Sequence, residues 1–395
     1  MPTIYLDNHA TTPVDPRVVE AMLPFFTTYY GNAASESHAA GWAARDAVAD
    51  ARAALAAALG AKPRELVFTS GATESNNLAL RGAAERNQHK GKHVVTVATE
   101  HPSVLEPLER LGRQGFDITV LPVRPAPHPE AGRIDLDQFA AALRPDTILV
   151  SVMLANNEIG AIQPVEEIGR ICKQRGILLH TDATQAVGKI PVDVERLGVD
   201  LLSFSAHKLY GPKGVGGLYV RRRGPQVKLE PQLLGGGHEA GLRSGTLNVP
   251  GIVGLATAVR LCLDEMPAEA ERLRQLRNRF CMALARIPDV TLNGPLLDNP
   301  RWRLPGNLNL SFAGIDGETL LINLPDLALS SGSACSSATP EPSHVLRALG
   351  IGDFAARASI RFGLGRFTTE GDIDAAGTQV AAAVERLRGM LGADG

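Results

Sequence analysis

Aromatic residues, cysteine and long apolar runs are all scarce in this sequence. Aromatic residues make up 5% of the 395 residues, and the four cysteines are too few for a disulfide framework in a chain of this size. Because no apolar run approaches the roughly 18 residues that a membrane span needs, we expect no membrane partner. The net charge of −2 gives no electrostatic case for binding nucleic acid. Residues 1–7 lack the basic and apolar regions of a signal peptide, so we expect a cytoplasmic location.

Short apolar segments alternate with helical patterns over the first two-thirds of the chain. Continuously apolar strands that alternate with helices are typical of a mostly parallel sheet covered on both faces. The sequence therefore predicts an α/β fold with a seven-stranded sheet. The predicted strands are residues 66–70, 94–98, 118–121, 148–153, 177–182, 201–205 and 215–220, and the predicted helices between them include 75–85, 104–114 and 165–175.

The pattern changes near residue 255, where a long helical stretch rich in Arg, Glu and Leu begins. This stretch covers residues 252–287, and a break is expected at Met266-Pro267 because proline disrupts a helix interior. An α+β region with short strands follows. We predict a large domain of residues 15–255, and a smaller α+β domain formed by residues 1–14 together with 256–395.

Two of the predicted strands end in residues that suit a carbonyl cofactor. Lys208 follows the strand 201–205, where a fixed and partly desolvated amine can form an imine. Asp182 is the last residue of the strand 177–182. Strands that end side by side can place the carboxylate against a pyridine nitrogen and the lysine against an aldehyde. Pyridoxal 5'-phosphate carries both an aldehyde and a pyridine nitrogen. The pattern therefore indicates this molecule as the cofactor.

Further polar residues follow other strands. Ala72 and Thr73 open a helix whose backbone N–H groups could bind a phosphate, although an ordinary helix cap has the same pattern. His101 could stack on a cofactor ring or act as acid or base, or it could be a structural histidine. Asn157 could bind a phenolic oxygen or a carboxylate, or form an Asx turn. Arg361, within an apolar strand, needs an anion, which could be a substrate carboxylate or an internal ion pair.

Cys335 differs from the other cysteines in its surroundings. The stretch 330–338 has no bulky apolar residue, so we expect a mobile loop whose thiol is available as a nucleophile. Cys172, Cys262 and Cys281 lie in helical patterns beside apolar residues and are interpreted as core residues. A lone cysteine is usually inert, and it is the loop composition that favours a reactive Cys335.

Together these residues resemble the cysteine desulfurases of the NifS/IscS-like group, in the class V aminotransferase family of pyridoxal-phosphate enzymes with fold type I. The resemblance covers essentially the whole chain. It is carried by ordered motifs at residues 6–12, 69–76, 99–101, 156–160, 182–185, 205–208, 243–246 and 330–335.

The resemblance implies a role for each matching residue. Lys208 would hold the cofactor, Asp182 would pair with its ring nitrogen, and His101 would stack on the ring. Arg361 would hold the substrate carboxylate, and Cys335 would accept sulfur. Gln185 and Asn157 would contact the ring oxygen, and Asn157 would also lie near the substrate carboxylate. The residues implied to hold the phosphate are Ala72, Thr73, Ser205 and His207. Thr246 would contact the phosphate of a neighbouring subunit.

The implied reaction converts L-cysteine to L-alanine and leaves a persulfide on Cys335. The implied partners are L-cysteine, a second copy of the chain in a homodimer, and an iron–sulfur scaffold or another sulfur-acceptor protein. No resident metal is implied, although Cys335 could transiently share an iron–sulfur cluster. A selenocysteine lyase, a class V transaminase and a non-catalytic sulfur carrier remain as alternatives. Lys208 and Asp182 argue against the non-catalytic carrier, and a transaminase has no need of Cys335.

Overall fold

The computed structural model describes residues 3–331 and 342–393 of the chain. Its strands, in chain order, are β1 (Ile4–Tyr5), β2 (Leu66–Thr69), β3 (His93–Val97), β4 (Asp117–Leu121), β5 (Thr147–Ser151), β6 (Leu178–Asp182), β7 (Leu201–Ser205), β8 (Gly216–Val220), β9 (Val290–Leu292), β10 (Asn307–Phe312), β11 (Leu327–Ala328), β12 (Ser330–Ser331) and β13 (Ser359–Gly363). Single 3-10 turns occupy Pro63–Glu65, Ala206–Lys208 and Glu239–Gly241.

The α-helices connect these strands and cover the sheets. In chain order they are α1 (Pro16–Met22), α2 (Pro24–Thr27), α3 (Ala39–Ala58), α4 (Ala72–Asn87), α5 (Pro102–Arg113), α6 (Leu136–Ala142), α7 (Val165–Arg175), α8 (Val194–Leu197), α9 (Val249–Leu284), α10 (Gly317–Ile322), α11 (His344–Ala348), α12 (Asp353–Arg357) and α13 (Glu370–Ala393).

The central sheet has seven strands in the order β2-β8-β7-β6-β5-β3-β4. Strand β8 runs antiparallel to both of its neighbours, and the other adjacent pairs are parallel. The predicted α/β fold with a mostly parallel seven-stranded sheet is therefore confirmed. Residues of β3 and β5 to β8 are almost all buried, because helices cover both faces of the sheet.

A smaller antiparallel sheet has the order β12-β13-β10-β9, and β1 pairs with β11 in a parallel two-stranded ribbon. The apolar face of this sheet packs with α13 and the second half of α9 in a hydrophobic cluster of its own. Leu6 joins this cluster, although it lies near the start of the chain. The amino-terminal segment therefore packs with the carboxyl-terminal region.

Helix α9 corrects one expectation, because it continues without a break through Pro267. Its first half packs in the cluster beneath the central sheet, and its second half packs in the cluster of the smaller sheet. Burial at both ends holds the axis in place even though proline lacks the N–H of one helical hydrogen bond. Because α9 passes through residue 255 uninterrupted, the division into domains 15–255 and 1–14 with 256–395 stays a prediction.

A close approach of backbones shapes the sheet edge that bears the site. Gly71 precedes α4 with a φ of +152°, and an added Cβ on Gly216 would lie 2.7 Å from Gly71 Cα. Gly216 is paired with Ser205 at the end of β7. Glycine at these two positions therefore lets the amino terminus of α4 approach the end of β7.

Candidate active site

A cavity of about 550 Å³ lies at the carboxyl ends of the central strands. Ten of the twelve residues that the sequence singled out line it: Ala72, Thr73, His101, Asn157, Asp182, Gln185, Ser205, His207, Lys208 and Arg361. They come from separate segments of the chain that meet because parallel strands end at the same edge. The structure thus places them together, while their individual roles stay predictions.

Asp182 ends β6 and is buried, with 5% of its surface exposed. One carboxylate oxygen accepts a hydrogen bond from the Thr184 backbone N–H at 2.9 Å, and the other accepts one from Asn76 Nδ2 at 2.8 Å. These two donors hold the carboxylate plane in one orientation. A fixed buried carboxylate that faces the cavity can pair with a protonated ring nitrogen.

His101 caps the amino terminus of α5. Its Nδ1 accepts from the Ser103 backbone N–H at 3.1 Å and lies 2.8 Å from Ser103 Oγ. Because Nδ1 accepts this backbone hydrogen bond, a neutral His101 carries its proton on Nε2. Burial lowers the pKa of His101, and the positive charges of Lys208 and His344 lower it further against the opposing effect of Asp182. The neutral imidazole therefore predominates near pH 7.

The amino terminus of α4 forms one wall of the cavity and supplies Ala72 and Thr73. The first N–H groups of this 16-residue helix have no intrahelical acceptor, so they attract an anion. Ser205 and His207 face the same region from the end of β7. Burial lowers the pKa of His207 to about 4, assisted by the positive charges of nearby lysines, so the ring is a neutral hydrogen-bonding group there.

Lys208 ends the 3-10 turn that follows β7. Its Nζ donates hydrogen bonds to the backbone oxygens of His9 at 2.8 Å and Ala10 at 2.5 Å. The amino-terminal segment therefore lines the cavity beside the lysine. An amine held by two carbonyl groups at the cavity wall is placed to react with a carbonyl carbon in the cavity.

Arg361 lies in the middle of β13 with 1% of its surface exposed. It forms an ion pair with Asp7 at 2.9 Å, and a second guanidinium nitrogen lies 3.4 Å from the Asn157 backbone oxygen. The sequence allowed either a substrate carboxylate or an internal ion pair as the anion for Arg361, and the internal ion pair is present. The guanidinium nevertheless lines the cavity, and its Nε has no hydrogen-bond partner within the described part of the chain. This donor remains available to a bound anion.

Two of the predicted residues are not part of this wall. Thr246 is exposed and does not line the cavity. Cys335, as well as most of the stretch 330–338 around it, lies outside the described residues. Both roles stay predictions.

Four buried or half-buried residues at this site were given no role in the sequence interpretation. Asn76 and Ser103 connect Asp182 to His101, and His9 and Lys189 surround Gln185. Asn76 and His9 lie within the motifs 69–76 and 6–12 that carry the family resemblance, so the sequence contained a signal for these two residues. Ser103 and Lys189 carried no local signal, because their importance depends on contacts between distant segments.

The donor set fits pyridoxal 5'-phosphate. The cavity combines a reactive amine at Lys208, a carboxylate at Asp182 for the ring nitrogen, and a helix amino terminus with Ser205 for the phosphate. Over the described ranges 3–331 and 342–393, no group of three or more His, Cys, Asp or Glu side chains is arranged to hold a metal ion. None of the helices in those ranges is both long and apolar enough to cross a membrane.

Comparisons with known proteins agree with this site. The family model for class V aminotransferases matches residues 4–376. The chain is 57% identical to the cysteine desulfurase IscS of Anaeromyxobacter dehalogenans strain 2CP-C over 389 residues, which cover 98% of this chain and 94% of that protein. It is 54% identical to the cysteine desulfurase IscS of Escherichia coli O139:H28, with the same coverage of both chains.

A solved structure described as a NifS-like protein superposes with a TM-score of 0.87. It is 38% identical, and the match covers 98% of this chain and 99% of that one. Fold type I and the dependence on pyridoxal 5'-phosphate follow from the family. The chain therefore belongs to the class V aminotransferase family, in its NifS/IscS-like cysteine desulfurase group, as its ordered motifs predicted.

Proposed function

We propose that this protein is a cysteine desulfurase that converts L-cysteine to L-alanine and transfers the sulfur to Cys335. The observation that carries the proposal is the meeting of the Lys208 amine and the Asp182 carboxylate in one cavity, in a chain 54–57% identical to several cysteine desulfurases. In the net reaction the Cβ–S bond of the substrate breaks, an S–S bond forms with Cys335, and the thiol proton of Cys335 is transferred to the carbon product. No external oxidant or reductant is needed.

Bound pyridoxal 5'-phosphate supplies an aldehyde for amino groups and an electron-withdrawing ring that stabilises negative charge at Cα. Asp182 would pair with the protonated ring nitrogen, through a carboxylate that Asn76 and the Thr184 N–H hold in one orientation. Lys208 would hold the cofactor through its amine, and the same amine would be the base for the substrate Cα proton. His101 would lie against the ring as a neutral imidazole.

Substrate orientation rests on Arg361 and Asn157. The α-carboxylate would bind the guanidinium of Arg361, which is already desolvated and oriented by Asp7. Asn157 lies beside it, since its backbone oxygen is 3.4 Å from the guanidinium. With the carboxylate held there and the amino group directed towards Lys208, the cysteine side chain is the remaining free end of the substrate.

The partners are part of this proposal. We propose a homodimer in which Thr246 reaches the phosphate of the other subunit, since Thr246 is exposed and is not part of its own cavity wall. The persulfide sulfur would pass to an iron–sulfur scaffold or another acceptor protein. We propose the cytoplasm as its location.

The test is to give L-cysteine to the purified, cofactor-loaded protein and to measure alanine, sulfide and protein mass. We expect alanine, and one added sulfur atom on the peptide that contains Cys335. Cys335→Ser should keep the cofactor absorbance and lose sulfide release, whereas Cys281→Ser in α9 should behave as wild type. Lys208→Ala should lose the absorbance band at about 420 nm. A protein that makes no alanine from L-cysteine contradicts the proposal, and added sulfur elsewhere removes Cys335 from it.

A further inference from the structure

The side-chain amide of Gln185 has only one orientation that satisfies its neighbours. Lys189 Nζ lies 2.7 Å from Oε1 and donates a hydrogen bond to it. Gln185 Nε2 lies 2.9 Å from the backbone oxygen of His9, which can only accept. Both contacts require the same assignment of the amide oxygen and nitrogen.

This orientation determines the tautomer of His9. His9 Nδ1 lies 3.1 Å from Gln185 Oε1, which is an acceptor, so Nδ1 carries a proton and donates it. Burial and the positive charges of Lys189 and Arg361 lower the pKa of His9 well below its usual value, so the imidazole is neutral. Its Nε2 therefore has a free lone pair.

That lone pair has no donor within the described residues. His9 is 2% exposed and lines the same cavity as Asp182, Lys208 and Arg361, yet Nε2 makes no hydrogen bond there. A buried acceptor without a donor is unfavourable, and such an atom in a native protein calls for an explanation, such as a catalytic role or a bound water or ion. The arrangement fits a bound molecule that brings a hydrogen-bond donor into the cavity.

Few donors are available from the molecules that bind here. The phosphate and the phenolic oxygen of the cofactor are acceptors, and its ring N–H faces Asp182 in the proposed function. The substrate carboxylate is also an acceptor, and the amino group would be bound by the cofactor in the proposed function. The cysteine thiol is the donor that remains. We propose that His9 is a specificity-determining residue whose Nε2 accepts a hydrogen bond from the thiol of bound L-cysteine.

This inference rests on the proposed substrate orientation at Arg361 and is tested by ligand binding. Cofactor-loaded Cys335→Ser protein, in which sulfur transfer is not expected, is titrated with L-cysteine and with L-2-aminobutyrate while the cofactor absorbance is recorded. In L-2-aminobutyrate a methyl group replaces the thiol. Adding His9→Ala should weaken L-cysteine binding about fivefold and L-2-aminobutyrate binding less than twofold. Equal weakening of both ligands, or of neither, overturns the proposal.

Two further measurements separate this inference from its premises. Nitrogen-15 NMR of His9 in the wild-type protein should show a proton on Nδ1 and none on Nε2, and a proton on Nε2 overturns the proposal even if His9→Ala does not fold. Arg361→Lys should weaken both ligands alike. If it weakens neither, the proposed carboxylate site fails, whereas a thiol-selective effect of His9→Ala would still support the role of His9.

Discussion

Asn76 Nδ2 lies 2.8 Å from a carboxylate oxygen of Asp182 and 2.9 Å from Ser103 Oγ. Ser103 Oγ in turn lies 2.8 Å from His101 Nδ1. The buried side-chain amide of Asn76 on α4 therefore connects Asp182 with His101. In the proposed function, Asp182 pairs with the cofactor ring nitrogen and His101 stacks on the cofactor ring. Asp182 ends strand β6, whereas Ser103 and His101 both lie at the amino terminus of α5.

We expect Asn76→Ala to weaken cofactor binding about 10- to 100-fold, because it removes a buried donor to an ionised carboxylate, a contribution of about 1.5–3 kcal/mol. Titration of the cofactor-free protein with pyridoxal 5'-phosphate measures the change. Asn87→Ala is the matched control, since Asn87 lies at the other end of α4 and donates to a helix carbonyl. Unchanged affinity in Asn76→Ala would show that Asp182 needs no orienting partner.

Arg361→Lys should raise the KM for L-cysteine about tenfold while the cofactor spectrum is retained. Lysine keeps the charge near Asp7 but cannot offer two parallel N–H groups to a carboxylate. Steady-state kinetics with alanine detection measure the effect, and Arg357→Lys on the exposed side of α12 is the control. If Arg361→Lys has the same KM as wild type, the ion pair between Arg361 and Asp7 has only a structural role.

Glu158 makes the stability of the protein depend on pH. Burial raises its pKa from about 4.5 to about 7, while Ser343 and Arg361 act in the opposite direction. An acid whose pKa is higher in the folded state binds a proton on folding, so its contribution to the free energy of unfolding falls as pH rises from about 4.5 to about 7.

Relative to wild type, Glu158→Gln should therefore become more stable by about 3 kcal/mol in total as pH increases through that window. Glutamine resembles the protonated acid and can still accept from Ser343 Oγ, which lies 2.5 Å from the carboxyl oxygen. Thermal unfolding at several pH values measures the difference, with Glu167→Gln on the exposed face of α7 as control. A constant difference between variant and wild type across the window would contradict the raised pKa.

The proposed role of Thr246 can be tested by mixing subunits. Thr246→Val alone should weaken cofactor binding about five- to tenfold, because a phosphate ligand is lost. A mixed dimer of Lys208→Ala and Thr246→Val subunits contains one site with both wild-type residues only if Thr246 acts across the interface. We expect such dimers to bind one cofactor with wild-type affinity. Two impaired sites in every mixed dimer would place Thr246 in its own subunit's site.

Local sequence was sufficient for the central elements of this protein. Continuous apolar strands between amphipathic helices predicted the seven-stranded sheet, and predicted strand 201–205 coincides with β7. The residues that follow these strands could be assigned to one edge, because parallel strands end together. Lys208 and Asp182 could therefore be placed in one site before any contact was known.

Tertiary packing decided the rest. The sequence predicted a break at Pro267, but α9 stays continuous because two hydrophobic clusters bury it on both sides of that residue. Likewise, the tautomer of His9 depends on Lys189 through Gln185, although His9 and Gln185 are 176 positions apart. A sequence motif specifies which groups are present near a strand end. Only the packing of distant segments determines which donor meets which acceptor, and which buried atom is left for the ligand.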